Sequence, residues 1–167
     1  MLILRRTKRQ KSSSGLFMSS VVSADPPSAT RLVLDTDVAS FILKWHSRFA
    51  PAYLNLIRGR TLAISFTTVA EMRFGAINAR WGQRRMDLLE AYVSEFTVLH
   101  SDDRMCFLWA RVRQERARQG RRIDVADAWV AATALSLGAP LVTNNIKDFE
   151  GIANLQLLSV DPNSAGI

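Results

Sequence analysis

Short apolar runs alternate along this chain with segments whose apolar residues recur at helical spacing. Runs such as 32–34 and 62–64 have the length of buried strands. Met86, Leu89 and Val93 repeat every three to four residues, as they would on one face of an amphipathic helix. Strands that alternate with helices predict an α/β fold with a central, mainly parallel sheet.

The same patterns set approximate limits for the elements. Strands are predicted at 32–35, 62–66, 97–99, 140–143 and 155–160, and helices at 38–45, 50–57, 67–80, 86–96, 105–120 and 125–137. The last helix should end at Gly138, because glycine readily adopts the left-handed conformation that closes a helix.

The helix predicted at 125–137 is apolar on every side, so we expect it to be central and buried. Asp124, just before it, has the position of an N-cap. Asp127 lies inside the first turn, where a carboxylate without a function would be costly to bury. We therefore expect Asp127 to have a functional role.

Acidic and amide side chains follow several apolar runs or stand near the starts of helices. In a parallel sheet such positions converge at one edge. Carboxylates gathered there repel one another unless a positive charge neutralises them, and a divalent cation held by oxygen ligands would do so. The residues concerned are Asp35, Glu71, Asp127, Asn145 and Asp148. For Glu71 alone, a capping box with Thr68 is an alternative that needs no metal.

Composition narrows the chemistry further. The chain has 167 residues, of which 48% are hydrophobic, enough for one folded domain with a substantial core. One cysteine, Cys106, and two histidines, His46 and His100, argue against a disulfide framework and a cysteine–histidine zinc site. They also disfavour acid–base catalysis by a histidine pair. No apolar run approaches membrane-spanning length, and we expect a cytoplasmic protein.

The net charge of +7 comes largely from the first residues of the chain. Residues 1–29 are rich in Arg, Lys, Ser and Pro, and they are predicted to form a disordered extension unless translation starts at Met18. The folded domain is predicted at 30–162, followed by a short tail at 163–167.

A second basic stretch covers residues 111–122. It is either a solvated helix face or a contact for nucleic-acid phosphates. In the second case Arg121 and Arg122 are the favoured contacts, because they are nearest to Asp124 and Asp127 in the sequence.

Four stretches, taken together, resemble the PIN-domain ribonucleases, and most of all the VapC-type toxins of bacterial toxin–antitoxin pairs. They are 32–37, 67–75, 127–134 and 141–149, in the family's order and spacing. The resemblance implies a PIN-like three-layer α/β/α domain around a central, mainly parallel five-stranded sheet. It also implies hydrolysis of RNA phosphodiester bonds with Mg²⁺, or Mn²⁺, held by carboxylates.

The resemblance also assigns roles to single residues. Asp35, Glu71 and Asp127 match the family's catalytic, metal-holding acids, and Asp148 matches its variable fourth acid. Residues expected to support them or the substrate are Thr36, Asp37, Asp124, Thr143 and Asn145. Asp37 departs from the family, in which asparagine is usual at that position, and it adds negative charge near the metal.

The partners implied by the resemblance are an RNA substrate, with tRNA the usual target, and a small cognate antitoxin that crosses the active-site groove. Assembly as a homodimer and as a toxin–antitoxin hetero-oligomer is implied as well. One alternative is a phosphatase similar to the haloacid dehalogenases, with Asp35 as nucleophile and Asp37 as acid/base, although that scheme has no place for Glu71. Another is a non-catalytic PIN module that acts through its antitoxin on DNA.

Overall fold

The computed structural model describes residues 31–44 and 47–160. The extension predicted at 1–29, the tail predicted at 163–167 and His46 lie outside the described residues, so the domain limits of 30–162 stay a prediction. Across the described residues, none of the helices has both the length and the apolar character needed to span a bilayer.

Strands and helices alternate as the apolar pattern predicted. The strands are β1 (Arg31–Leu34), β2 (Thr61–Ser65), β3 (Thr97–Leu99), β4 (Leu141–Val142) and β5 (Leu157–Leu158). The helices are α1 (Thr36–Leu43), α2 (Ala50–Ile57), α3 (Phe66–Asn78), α4 (Gln83–Val93), α5 (Asp103–Arg118), α6 (Val125–Leu137) and α7 (Ile146–Phe149). The short helix α7 was not predicted.

The strands form one sheet in the order β3-β2-β1-β4-β5, and each pairing is parallel. β1 is central, with β2 and β3 on one side and β4 and β5 on the other. The order of strands therefore reverses direction between β1 and β4. Open α/β sheets bind their ligands beyond the carboxyl ends of the strands at such a switch point.

Side chains that alternate along β1 supply two separate cores. Leu32 and Leu34 join a cluster with residues of α1, α2, α3 and α4. Val33 joins a second cluster with residues of α5 and α6, in which Ala128 and Ala131 are fully buried. Helices therefore cover both faces of the sheet, which confirms the three-layer α/β/α architecture.

The helix α6 begins and ends where the sequence predicted. The Oδ1 atom of Asp124 accepts a hydrogen bond from the amide of Ala126 at 2.8 Å, which makes Asp124 the N-cap. Gly138 ends the helix in the left-handed conformation, with φ of 58°. Because α6 is held between α5 and the sheet, its first turn has a fixed position at the carboxyl edge of the sheet.

The capping box considered for α3 is wrong. β2 runs directly into the helix, so the N-cap is Ser65, whose Oγ accepts from the amide of Thr67 at 3.3 Å. Thr68 then lies within the first turn and is fully buried. Glu71 has no capping role, and the explanation of Glu71 without a metal loses its support.

Candidate active site at the carboxyl edge of the sheet

Asp35 and Thr143 form the centre of the site, at the switch point between β1 and β4. Leu34 and Val142, the last residues of the two strands, are paired in register, and the amide of Asp35 donates to the carbonyl of Val142 at 3.0 Å. The hydroxyl of Thr143 donates to Asp35 Oδ2 at 2.8 Å. Asp35 Oδ1 accepts from the amide of Thr36 at 2.7 Å and so caps α1. These contacts hold a buried carboxylate in one orientation.

Glu71 reaches the same edge from α3. The hydroxyl of Thr36 donates to Glu71 Oε2 at 2.5 Å and lies 3.2 Å from the hydroxyl of Thr68. Glu71 itself is exposed. Thr36, the residue directly after Asp35, is therefore bonded to an acid that is 35 positions away in sequence.

Electrostatics show that the acids lie close together. The pKa of Asp127 is raised to about 7, mainly by burial and then by the negative charges of Asp35, Asp148, Asp124 and Glu71. Acids that stand after β1, in α3, at the start of α6 and in α7 therefore share one region of negative potential.

The pKa of Asp35 is raised as well, to about 6, and burial is the main cause. The hydrogen bonds from Thr143 and from the Thr36 amide oppose the shift, because they favour the charged form. The charges of Asp37 and Glu71 add to it. Asp37 is exposed in the first turn of α1, so it acts on Asp35 through its charge.

Asp148 and Asn145 approach the cluster on α7. The amide of Asn145 donates to the hydroxyl of Thr143 at 3.0 Å, and the Asn145 side chain donates to Asp148 Oδ2. Asp148 is half-buried and its charge reaches Asp127, whereas Asn145 is exposed. This arrangement favours Asp148 as the fourth acid, with Asn145 holding it.

The donor set fits a hard divalent cation, because it consists of carboxylate oxygens with hydroxyl and amide neighbours. In the ranges 31–44 and 47–160, however, no three acidic, histidine or cysteine side chains are placed to hold one ion as they stand. Glu71 and Asp148 are held by Thr36 and Asn145, respectively. Coordination of one ion by three or more of these acids therefore requires side chains to leave the positions that they have here.

The basic stretch at 111–122 does not form one surface. Arg121 pairs with Glu150, its Nη1 atom lying 2.6 Å from Oε1, with both side chains about half exposed. Arg122 is exposed. Arg116 is buried, with 3% of its surface exposed, so it can be neither a solvated residue nor an RNA contact. The sequence contains a signal for this: Arg116 is four residues after the buried Val112 and continues the inner stripe of α5.

Matches to known proteins agree with this geometry. A family model described as PIN domain matches residues 32–155. The chain is 30% identical over 125 residues to Ribonuclease VapC1 of Haemophilus influenzae (strain R2866), a match that covers 74% of this chain and 93% of that protein. It is 32% identical over 126 residues to the tRNA(fMet)-specific endonuclease VapC of Shigella flexneri, covering 75% and 95% of the two chains.

Solved structures give the same picture. VapBC2 from Rickettsia felis, bound to a DNA fragment from its promoter, has a TM-score of 0.69 at 27% identity, covering 78% of this chain and 99% of that one. VapBC-1 from nontypeable Haemophilus influenzae has a TM-score of 0.66 at 29% identity, with coverage of 77% and 97%.

Proposed function

The chain belongs to the PIN-domain family and is a VapC-type ribonuclease, and on that premise we propose that it cleaves RNA with Mg²⁺, or Mn²⁺ in its place, at the carboxyl edge of the sheet. The observation that carries the proposal is the pair Asp35 and Asp127. Both have a raised pKa, each is exposed to the negative charge of neighbouring acids, and no ion pair involves either of them within the described residues.

In this proposal Asp35, Asp127, Glu71 and Asp148 hold the cation. When bound, the cation supplies positive charge that acidifies the attacking water and offsets the charge that develops on the phosphate. Thr143 keeps the Asp35 carboxylate in one orientation through its hydrogen bond of 2.8 Å. Of the proposed ligands, Asp35 is therefore oriented before the cation binds.

We further propose an antitoxin partner and assembly as a homodimer and a toxin–antitoxin complex. The similar solved structures are described as VapBC, and one of them is bound to promoter DNA. A cavity of about 180 Å³ lies beside Glu71 and is lined in part by Leu43, Met72 and Trp81. Phe74 and Ile77, on the same helix as Glu71, are 69% and 67% exposed. Three residues apart on α3, they are neighbours on the helix surface, and contiguous exposed apolar surface is typical of protein interfaces.

The function is tested by incubating the purified protein with total RNA and mapping the cleaved ends by sequencing. We expect defined cleavage with Mg²⁺ or Mn²⁺ and none after chelation. Release of phosphate from small esters without RNA cleavage would favour the phosphatase alternative. The absence of both activities under all metal conditions would favour a non-catalytic module.

Asp148→Ala is expected to raise the Mg²⁺ concentration for half-maximal cleavage by about 10- to 100-fold. Asn145→Ala should raise it by less, because Asn145 contributes a neutral amide and acts through Asp148. A Mg²⁺ titration of the cleavage rate measures both. Asp87→Ala, which removes an exposed acid on α4, is the matched control and should leave the titration unchanged. A larger effect at Asn145 than at Asp148 would reverse this ranking.

Arg122→Ala is expected to weaken RNA binding about equally for all sequences. It should also flatten the dependence of log K on log salt by roughly 0.7 for each lost phosphate contact to a single strand. Arg121→Ala should add to the effect, but its interpretation needs Glu150→Gln beside it, because Arg121 also pairs with Glu150. Filter binding at several salt concentrations measures this, with the exposed Arg84→Ala as control. An unchanged affinity and slope in the Arg121/Arg122 double variant would rule out these contacts.

A further inference from the structure

The end of α5 holds the segment that carries Asp148. The Nη1 atom of Arg116 donates to the carbonyl of Glu150 at 2.8 Å, and its Nη2 atom donates to the carbonyl of Lys147 at 3.4 Å. These carbonyls belong to residues on either side of Asp148. One buried guanidinium therefore binds the backbone on both sides of Asp148. The carboxylate of Asp148 accepts a hydrogen bond from the side chain of Asn145.

Neighbouring residues of α5 and the turn after it extend this attachment. Gln119 Nε2 donates to the carbonyl of Gly151 at 2.8 Å. Glu115 Oε1 accepts from the amide of Ala153 at 3.1 Å. Unlike Arg116, Gln119 is exposed to solvent, so its hydrogen bond contributes less to stability.

Packing alone does not account for Arg116. Its position continues the apolar stripe of α5, where leucine or methionine would fill the space without burying a charge. Its Nε atom is buried and has no hydrogen-bond partner among the residues that the structure describes. Within 31–44 and 47–160 the guanidinium also forms no salt bridge with a carboxylate. Burying such a group is a costly way to stabilise a core. Arg116 provides two hydrogen-bond donors to the carbonyls of Lys147 and Glu150, which an apolar residue could not do.

We propose that Arg116 is a positioning residue for metal binding, fixing α7 so that the carboxylate of Asp148 faces Asp127. The inference rests on the proposed function of the acidic cluster, and it adds a role for a residue that touches neither metal nor RNA. Arg116 acts through the backbone at Lys147 and Glu150, so its effect should depend on the presence of the Asp148 carboxylate.

The first test measures amide hydrogen exchange in the metal-free protein. Arg116→Met should speed exchange at residues 148–153 by about 10-fold and leave the strands protected. Arg118→Met, an exposed change two residues along the same helix, should alter nothing in that segment. Gln119→Ala should give a smaller, local acceleration. Should Arg116→Met fail to fold, Arg116→Lys takes its place, because lysine keeps a donor for one carbonyl and should give an intermediate rate. Unchanged exchange at 148–153 would overturn the proposal.

The second test is a double-mutant cycle on Mg²⁺ affinity, measured by calorimetry without RNA. Arg116→Met should weaken Mg²⁺ binding by about 10-fold in the parent protein and have no further effect in an Asp148→Ala background. Equal losses in both backgrounds would show that Arg116 does not act through Asp148. A parent protein that binds no Mg²⁺ would overturn the proposed function instead, and the exchange rates would still decide whether Arg116 holds α7.

Discussion

Asp35→Asn and Asp127→Asn are each expected to lower RNA cleavage by roughly 10³-fold while the protein stays folded. Each change removes one negative charge from the donor set and leaves side-chain volume almost unchanged. Single-turnover cleavage at saturating Mg²⁺, with circular dichroism of the same samples, measures the effect. Asp124→Asn is the matched control. Asparagine caps a helix nearly as well as aspartate, so we expect cleavage within a fewfold of the parent.

The same substitutions should stabilise the metal-free protein at alkaline pH. The pKa of Asp35 is about 6 in the folded protein against 3.8 for the free side chain, so the folded state holds its proton more tightly. Ionisation above that range therefore opposes folding, by at most about 3 kcal/mol. Asparagine keeps an acceptor for only one of the two partners, Thr36 and Thr143, so we expect a net gain of about 1 kcal/mol.

Denaturant unfolding near pH 8 and near pH 4 tests this gain, which should appear only at the higher pH. The two readouts together separate a functional acid from a structural one. If the acid were structural, its substitution would destabilise the protein, and cleavage would fall only in proportion to the folded fraction that is lost. Full metal-dependent cleavage by Asp127→Asn would show that the site has been placed wrongly.

The fold was predictable because strands of a parallel sheet covered on both faces have little polar character. Residues 32–34 and 62–64 form such runs, and their burial in two cores explains why the runs mark strands. Asp35 and Asp127 were predictable for a related reason. One stands directly after a central strand and the other inside the first turn of an apolar helix, and chain topology alone brings both positions to one edge of the sheet.

Contacts between distant residues could not be predicted in this way. The hydrogen bond from Thr36 to Glu71 spans 35 positions and depends on how α1 packs beside α3. The start of α3 was misplaced because β2 joins it without a loop, so Ser65 takes the N-cap that the local sequence would give to Thr68. Arg116 was grouped with the exposed arginines of 111–122 because a charged side chain is usually exposed, although its position continues the buried stripe of α5. In each case tertiary packing decided between two local possibilities.

Stabilisation of the protein by Mg²⁺ is expected to rise steeply with pH between about 5 and 8. Binding needs ionised carboxylates, and the raised pKa values of Asp35, about 6, and Asp127, about 7, mean that both are largely protonated at pH 5. Each unit of pH below a pKa lowers the ionised fraction about tenfold, so the affinity for Mg²⁺ should fall by about 10³-fold from pH 8 to pH 5 if both acids must ionise.

Thermal unfolding with and without Mg²⁺ measures this dependence. An ion present at about 100 times its dissociation constant adds roughly 2.7 kcal/mol of stability, which corresponds to a rise in Tm of several degrees near pH 8. At pH 5 the same Mg²⁺ concentration should leave Tm nearly unchanged. In Asp127→Asn one of the two titrating groups is gone, so the remaining pH dependence should be shallower and centred near the pKa of Asp35. A Tm increment that is equal at both pH values would mean that the cation binds outside the acidic cluster.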